Sequence, residues 1–359
     1  MLKKLDIYII KKYLGTFFLS ILLIILISVV IDISEKLDEF ITNKAPLRAI
    51  VVDYYFNFIP YFANLFAPLF VFISVIFFTS KMAYNTEITA ILSCGVSFNR
   101  MLRPYFISSI FIGSLSFVLA GYIIPPANKV RLDFENTYVA SNKSDVVRGI
   151  QMEIEPGTIL YIERFEENRN RGTRMSLEKY DGKTLMSRTT GNSIEWTPED
   201  SVWHVKKYLT RTFDGIYEYI QKGENLDTIL PVMPYEFFIS GALAPQMTNR
   251  ELRDHIRRQE MRGVGNTQVF KDEYYKRYAM PFAAIILMVM GVSLSSKKIK
   301  GGMGVQIGIG LALSAIYILF TTISSMFAVK GNMPVLLAVW LPNITFSIIA
   351  IVLYWRAPK

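Results

Sequence analysis

The sequence predicts an α-helical membrane protein with six transmembrane helices and an all-β, jelly-roll-like domain inserted between helices 3 and 4. Two observations predict it: six uncharged apolar runs, and a polar block at residues 129–277 that separates the first three runs from the last three. The composition agrees, because 52% of the 359 residues are hydrophobic and 19% are charged. That balance is too apolar for an ordinary soluble enzyme.

Each apolar run is close to the roughly 20 residues that a membrane-spanning helix needs. The runs cover residues 13–31, 54–80, 104–128, 278–296, 301–329 and 331–354. The first run is interpreted as an uncleaved helix, because its apolar core exceeds the roughly 7–15 residues of a signal peptide and no small-residue cleavage site follows promptly.

The distribution of lysine and arginine predicts the orientation. With the N-terminus in the cytoplasm, the inner segments hold twelve of these residues and the short outer loops hold four, as the positive-inside rule requires. Both termini are then cytoplasmic and the inserted domain lies outside. The net charge of +9 is therefore explained by the basic residues on the cytoplasmic side of the membrane, and nucleic acid is not a predicted partner.

The inserted block reads as strands. Short alternating stretches such as "TILYIERF", "RMSLEKY", "KTLMSRT" and "VWHVKKYLTRTF" are separated by turn signals including "EPG", "YDGK" and "TTGN". This spacing predicts a sandwich or jelly roll. The only cysteine, Cys94, is predicted to be cytoplasmic, so the domain folds without a disulfide.

The block is also rich in aromatic residues, which have two interpretations. They form an ordinary sandwich core, or they line an apolar groove that accepts a lipid tail. The candidates for such lipid contacts are Tyr161, Phe165, Trp196 and Trp203.

A charged helix follows the strands. Thr248 and Glu251 form a capping-box pattern, and the helix runs to about residue 262. A second helix is expected to begin near Thr267 and to lead into span four. The predicted organisation is therefore residues 1–128 for helices 1–3, 129–247 for the β domain, 248–277 for the linker helices and 278–359 for helices 4–6.

No pattern for catalysis or metal binding stands out. The nearest stretch to a P-loop, "LEKYDGKT", lacks the first glycine. His204 and His255 lie far apart with no nearby cysteine, and are interpreted as a strand residue and a helix-surface residue. The chain is expected to be non-catalytic, without cofactor or metal.

The interiors of the apolar runs contain no Asp, Glu, Lys, Arg or His, which disfavours a secondary carrier coupled to protons or sodium. Span five instead carries a ridge of small residues, Gly304, Gly308 and Ala312, at four-residue spacing. Small residues allow helices to approach closely. The ridge is therefore interpreted as a helix-packing surface or as a lateral gate.

Between spans two and three, residues 85–95 predict a short cytoplasmic helix. Ile88, Ile91 and Leu92 fall on one helical face, Glu87 suits the positive N-terminal end, and Gly95 can end the helix. Such a helix either rests on the bilayer surface or acts as a coupling helix that docks into a partner ATPase. The second use would supply the energy source that the chain lacks.

Four segments carry a resemblance to a known family. They are "LDIYIIKKYLGTFF", "NTEITAILSCGVSFNRML", "QMTNRELRDHI" and "YYKRYAMPFAAIILMVMGVSLSSKKIKGG". In this order, within a layout of three spans, a domain and three spans, they resemble the LptF/LptG (YjgP/YjgQ) permeases of the lipopolysaccharide-exporting ABC transporter. The start of the chain looks closer to LptG than to LptF.

The resemblance implies a periplasmic β-jelly roll in a multi-pass protein of the bacterial inner membrane. The implied partners are a homologous LptF-like permease, two copies of the ATPase LptB, and LptC. It also implies that Glu87 is the coupling-helix carboxylate that contacts the ATPase, accompanied by Ile88, Leu92 and Gly95. The expected function is to take lipopolysaccharide from the outer leaflet of the inner membrane to a periplasmic bridge. The alternative is a membrane-anchored structural or assembly protein whose outer domain binds a protein partner without transport.

One departure concerns the outer end of the first span. Relatives of LptG can carry lysines there that suit lipid A phosphates. This chain offers four carboxylates and one lysine: Asp32, Glu35, Asp38, Glu39 and Lys36. The departure predicts a less anionic head group, or one that is held elsewhere.

Overall fold

The structure is a computed structural model that describes residues 3–139, 146–198, 200–238, 241–261, 267–297 and 302–357. The chain divides into two compact units. The membrane unit comprises Met1–Ser141, Pro245–Asn249 and Lys271–Lys359, and the sheet unit comprises Asn142–Ala244 and Arg250–Phe270.

The helices are numbered in chain order. They are α1 (Lys4–Thr42), α2 (Leu47–Tyr84), α3 (Glu87–Ser93), α4 (Phe98–Tyr138), α5 (Asn249–Met261), α6 (Gln268–Ser295), α7 (Gly302–Val329) and α8 (Val335–Trp355). All except α3 and α5 are long and apolar enough to cross a membrane, which makes six such helices among the described residues. The predicted six spans are therefore confirmed.

The spans run alternately between two ends of the membrane unit. At the Lys4 end, α1 begins, α2 ends and α4 begins; at the Thr42 end, α1 ends, α2 begins and α4 ends. Three helices extend past the apolar runs at the Thr42 end, because buried aromatic side chains continue their packing there. Phe134 of α4 lies 5.8 Å from Phe40 of α1 and 5.3 Å from Tyr54 of α2, between ring centroids. The expected boundary between residues 128 and 129 therefore falls inside α4.

The core of the membrane unit is built on close helix contacts. The Tyr13 side chain is fully buried, and its hydroxyl lies 3.1 Å from the Ser109 hydroxyl of α4. A Cβ at Gly113 of α4 would lie 2.9 Å from the backbone oxygen of Pro281 in α6. Only glycine therefore allows α4 and α6 to approach this closely.

The small-residue ridge on α7 faces away from the other described helices. Gly304, Gly308 and Ala312 are exposed, and a Cβ at Gly304 or Gly308 would meet no atom within 4 Å. The packed glycine is Gly310, where a Cβ would clash with Ile76 of α2. Two residues along a helix turn the side chain by about 200°. The ridge is thus not packed against any other described helix, and its use at an interface or gate remains a prediction.

The sheet unit contains six antiparallel strands in one sheet. They are β1 (Val146–Glu155), β2 (Thr158–Glu166), β3 (Arg171–Asp181), β4 (Thr184–Thr197), β5 (Val202–Asp214) and β6 (Tyr217–Thr228), and their spatial order follows the sequence. The all-β domain between spans three and four is confirmed. Each strand pairs with the next one along the chain, so the order among the described strands is a meander.

One predicted turn was wrong. The "TTGN" segment lies inside β4, where Gly191 pairs with Met175 of β3 and Tyr208 of β5. A Cβ at Gly191 would clash with the Val205 side chain. This glycine is present because the sheet core leaves no room for a side chain, and its backbone continues the strand.

Candidate functional site

The short helix α3 lies at the Lys4 end of the membrane unit. It begins at Glu87, after Thr86 with a left-handed φ of 64°, and Gly95 follows it with a φ of 80°. Both turns give α3 a fixed start and end between two long helices. The short helix predicted within residues 85–95 is therefore present, and Gly95 follows it.

Glu87 is held at the start of α3 by two side chains. The Tyr8 hydroxyl of α1 donates to Glu87 Oε2 at 3.3 Å, and Asn85 Nδ2 donates to Glu87 Oε1 at 3.3 Å. Glu87 itself is half-buried. Its carboxylate is therefore positioned by α1 while one side stays open to a further partner.

A buried ion pair joins α1 to the start of α4. Asp6 is 2% exposed and accepts two hydrogen bonds from the Arg100 guanidinium, at 2.7 and 2.6 Å. It also accepts one from the Lys3 backbone N–H at 2.7 Å. Together with the Tyr8–Glu87 bond, this pair ties the N-terminal turns of α1 to the start of α3 and to the start of α4. No sequence pattern indicates this pair, because its members lie 94 residues apart.

The apolar residues of α3 point toward the membrane unit. Ile88 is 2% exposed and belongs to the main core, and Ile91 and Leu92 are half-buried against the same core. Thr89, Ala90 and Ser93 are exposed. The predicted apolar face thus anchors α3 on its own chain, and the opposite face is the one available to a partner.

A polar network that no sequence pattern indicates lies at the Thr42 end. Lys36 of α1 lies 3.2 Å from Asp32 and 2.9 Å from Glu135 of α4, and it donates to the Tyr54 hydroxyl of α2. Tyr55 donates to the other oxygen of Asp32 at 3.0 Å. Two carboxylates and one ammonium give the network a formal charge of −1. It connects three helices through groups that are each mostly buried.

The network explains part of the acidic cluster at the end of α1. Asp32 is an internal partner of Lys36, whereas Glu35, Asp38 and Glu39 are exposed. Because Lys36 already has two carboxylate partners, it is not a free cation for a phosphate group. This geometry agrees with the acidic outer end of the first span, which predicts a less anionic head group or one that is held elsewhere.

A cavity of about 540 Å³ opens between α2, α4, α6 and α7 in the membrane unit. Its walls are mostly apolar, with Leu65, Ile124, Met280, Ile318 and Met326 among the lining residues. Ligand sites typically measure about 300–1,000 Å³ and combine apolar walls with a few polar groups. By size and lining, the cavity is suited to the apolar part of a small molecule or lipid.

Polar residues line the Thr42 end of this cavity. Lys276 pairs with Asp272 at 2.7 Å, and Arg277 pairs with Glu273 at 2.9 Å. Arg277 also donates to the Met247 backbone oxygen at 2.8 Å. Lys330 at the end of α7 completes this polar lining. The cavity is therefore amphipathic along the direction of the spans.

The four aromatic candidates in the sheet unit do not share one surface. Phe165 and Trp203 are fully buried, and their ring centroids lie 6.1 Å apart in the sheet core. Trp196 is half-buried with its ring centroid 5.1 Å from that of Trp203. Tyr161 is 39% exposed, on the face of β2 opposite the buried Leu160 and Ile162. Only Tyr161 and Trp196 can meet a ligand while this core stays closed.

The two histidines have ordinary structural contacts. His204 lies in β5 as predicted, with Nδ1 2.7 Å from Asp227 Oδ1. His255 was predicted on the helix surface, but it is 5% exposed and packs against Phe270 in a tilted arrangement, with ring centroids 4.4 Å apart. Across the described ranges, no three metal-ligating residues cluster.

One shifted pKa in the sheet unit belongs to the β5–β6 hairpin. The Arg211 guanidinium donates to Glu218 across this hairpin and holds the pKa of the Glu218 carboxyl below its usual range. Because that pKa is lowered on folding, the pair supports the hairpin at neutral pH and this support is lost on acidification.

Comparison with known protein families gives a match over nearly the whole chain. A family model described as the lipopolysaccharide export system permease LptF/LptG matches residues 7–356, which include the whole sheet and five complete spans together with most of α1. No curated protein matches the chain. The matched family includes both permeases, so the expected closeness to LptG remains a prediction.

Proposed function

Because this chain belongs to the lipopolysaccharide export system permease LptF/LptG family, we propose that it is the permease subunit of an ATP-driven lipopolysaccharide extractor. Membership indicates a role in lipopolysaccharide export. The proposed cycle takes the lipid from the outer leaflet of the inner membrane and delivers it toward a periplasmic bridge.

The observation that carries the proposal is the geometry of α3. An anchor protein has no need for a short helix that presents a carboxylate and whose first residue is tied to the first span. In this chain, Ile88 fixes α3 to the core and Glu87 contacts Tyr8 of α1. A partner ATPase that displaces α3 would therefore displace α1 as well.

The first span, α1, is well placed to move when a partner displaces α3. Of the most apolar stretch of α1, only 11% is buried, the smallest share among the six described spans. Moving α1 therefore disrupts less core than moving any other span. We propose that its motion opens and closes the path by which lipid enters.

The cavity supports an amphipathic cargo. Its apolar walls suit acyl chains, and its polar lining at the Thr42 end suits a head group. In the proposed orientation the Lys4 end faces the cytoplasm and the Thr42 end faces the periplasm, following the lysine and arginine distribution of the sequence.

Two exposed surfaces support the proposed partners. The ridge of Gly304, Gly308 and Ala312 is open for a homologous LptF-like permease. In the sheet unit, β6 is an edge strand with exposed Tyr219 and Ile220, a form that accepts strand addition from another protein. LptC and the bridge it belongs to are the proposed partners there, and two copies of LptB supply ATP hydrolysis.

Affinity purification of the chain from its native membrane in mild detergent tests the whole proposal. We expect an ABC-type ATPase and a second permease to co-purify. Recovery of the chain without any ATPase under several detergents and nucleotide conditions would favour the anchor protein instead.

Replacing Glu87 with alanine is expected to weaken binding of the ATPase. A charge-assisted hydrogen bond contributes about 1.5–3 kcal/mol, which corresponds to about tenfold or more in affinity. Co-purified ATPase and lipid-stimulated ATP hydrolysis should both fall, as measured at matched permease concentrations.

Two variants separate the possible causes of that loss. Tyr8→Phe removes one of the two internal partners of Glu87 and should leave ATPase binding close to normal, whereas Glu87→Gln keeps the shape and should behave like Glu87→Ala. Equal ATPase binding by wild type and Glu87→Ala would refute the role of this carboxylate.

Photo-crosslinking tests whether the lipid binds to the sheet unit after it leaves the membrane. A crosslinker at Tyr161 or Trp196 is expected to capture lipopolysaccharide in the reconstituted complex only when ATP can be hydrolysed. Lifting acyl chains out of the bilayer exchanges one apolar environment for another, so net transfer needs work. Phe165 and Trp203 are matched buried controls that should capture none while the core is closed.

The ATP dependence decides between transport and passive binding. A passive patch would capture lipid to the same extent with and without ATP, and that result would contradict transport through the sheet unit. Strong capture at Phe165 and Trp203 would show instead that the core opens to admit the lipid.

A further inference from the structure

The first turn of α4 is joined to two other helices through three consecutive residues. Phe98 is 3% exposed and lies 6.0 Å from Tyr354 of α8 between ring centroids. Asn99 accepts a hydrogen bond from the Tyr354 hydroxyl. Arg100, the next residue, donates to Asp6 of α1. The start of α4 therefore connects α1 with α8 at the Lys4 end of the membrane unit.

The helix α3 is connected closely to this turn. Residues 94–97 link α3 to α4, and their backbone folds back onto α3, where the Val96 N–H donates to the Ile91 backbone oxygen at 3.4 Å. Ser97 then caps α4, because its hydroxyl oxygen accepts from the Arg100 backbone N–H at 3.3 Å. The link is short and hydrogen-bonded at both ends. A displacement of α3 is therefore passed to the first turn of α4.

Two side-chain links join α1 to this region, and they differ in strength. The Tyr8–Glu87 link is a single hydrogen bond of 3.3 Å to a half-buried carboxylate. The Asp6–Arg100 link has two hydrogen bonds, at 2.7 and 2.6 Å, in the bidentate geometry that adds both energy and directional specificity. Asp6 is 2% exposed, so water and salt screen this pair less. The ion pair is thus the stronger link, and it does not involve the carboxylate proposed to bind the ATPase.

The position of Arg100 is explained by this link rather than by the stability of α4. Arg100 is the third residue of α4, where a positive charge meets the positive end of the helix dipole and is unfavourable. The Asp6 carboxylate offsets that charge from another helix. Asp6 is itself fixed, because it also accepts from the Lys3 backbone N–H at 2.7 Å. Three hydrogen bonds therefore hold one carboxylate between α1 and α4.

We infer that Asp6 and Arg100 are positioning residues that transmit the displacement of α3 to α1. The inference rests on the proposed function, in which an ATPase bound at α3 drives movement of the first span. When α3 moves, the short link moves the first turn of α4, and the ion pair moves the N-terminal turns of α1. Without the pair, the ATPase would still bind and hydrolyse ATP, but its work would reach α1 only through the weaker Tyr8 bond.

A spin label tests whether the pair holds α1, and it does so without any ATPase. Ile7, which is 44% exposed on α1, is replaced by a nitroxide-labelled cysteine in a Cys94→Ser background, because Cys94 is the only cysteine. We expect Arg100→Met to increase the mobility of the label in the purified full-length protein. Arg103→Met is the matched control, since Arg103 is an exposed arginine of the same helix. Equal label mobility in wild type and Arg100→Met would overturn the inference.

The amount of lipid captured per ATP hydrolysed tests transmission in the reconstituted complex. With the photo-crosslinker at Tyr161, Arg100→Met is expected to lower this ratio by about tenfold while the amount of co-purified ATPase stays unchanged. Arg103→Met should keep the wild-type ratio. An unchanged ratio in Arg100→Met, beside a wild type that captures lipid, overturns this inference alone. Absence of ATP-dependent capture in the wild type overturns the proposed function, and the inference with it.

Two further variants separate transmission from folding. Asp6→Asn keeps the shape and an oxygen for the Lys3 N–H but removes the charge, and it should lower the ratio as Arg100→Met does. Arg100→Lys keeps the charge and should retain most of the ratio. If Arg100→Met does not fold, as judged by its thermal midpoint, Asp6→Asn gives the same test. Losses of thermal midpoint and ATPase binding that parallel the loss of the ratio in every variant would assign the pair to folding and overturn the inference.

Discussion

Replacing Lys36 with methionine is expected to lower the free energy of unfolding of the membrane unit by about 3 kcal/mol. Among the described residues, Lys36 is the only cation of the network, and its loss leaves Asp32 and Glu135 without this counter-charge. Removing one partner of a buried ion pair typically costs about 3–5 kcal/mol. The lower figure applies because the three side chains retain 14–21% exposure.

The thermal unfolding midpoint of the purified protein in detergent measures this effect. Lys11→Met is the matched control, because Lys11 is an exposed lysine of the same helix. Lys36→Arg should lose less than Lys36→Met. Combining Lys36→Met with Asp32→Asn should recover part of the loss, since it removes one of the two uncompensated charges. A midpoint for Lys36→Met equal to that of Lys11→Met would show that the network contributes nothing to stability.

The same experiment bears on how the lipid is recognised. If Lys36 were a phosphate ligand, Lys36→Met would lower lipid affinity without lowering the midpoint. The structure predicts the opposite: Lys36→Met should lower the midpoint without lowering lipid affinity. The reason is that the ammonium already contacts two carboxylates and the Tyr54 hydroxyl.

Replacing Trp203 with alanine is expected to destabilise the sheet unit by about 3–5 kcal/mol, the usual cost of truncating a buried large aromatic side chain. Trp203 is fully buried between Phe165, Trp196 and Phe237. Its Nε1–H donates to the Val232 backbone oxygen at 3.0 Å. The substitution therefore leaves a cavity and removes a hydrogen bond at once.

Limited proteolysis of the full-length protein measures this change, because cleavage tracks the population of the open form when opening and closing are fast. At about 1.4 kcal/mol per factor of ten, cleavage within the sheet unit should rise by about a hundredfold or more. Tyr217→Ala is the control, since Tyr217 is 66% exposed on β6. Similar cleavage of the Trp203→Ala and Tyr217→Ala proteins would mean that Trp203 is not a core residue.

The buried position of Trp203 also narrows the lipid-contact hypothesis. Of the four aromatic residues selected from the sequence, Phe165 and Trp203 hold the sheet together, and Tyr161 lies on the opposite face of β2. Alternation along a strand predicts that neighbouring residues face opposite sides. It does not predict which side is covered, because that depends on the segments that pack on the sheet.

The sequence by itself determined the elements whose signals are local. The six spans follow from the length of the apolar runs, and the helix before Gly95 follows from residues within one short segment. Four of the six strands coincide with alternating stretches between turn residues. These signals are visible because backbone hydrogen bonding in helices, and the alternation of faces in strands, impose short repeats on the chain.

Only the tertiary structure decided which residues meet. Lys36 and Glu135 lie 99 residues apart and Asp6 and Arg100 lie 94 apart, so no periodicity links them. Gly310 packs against α2 while Gly304 and Gly308, on the same helix, remain open. Packing brings such residues together because each helix buries the face that its neighbours can cover, and one helix's sequence does not specify where its neighbours lie.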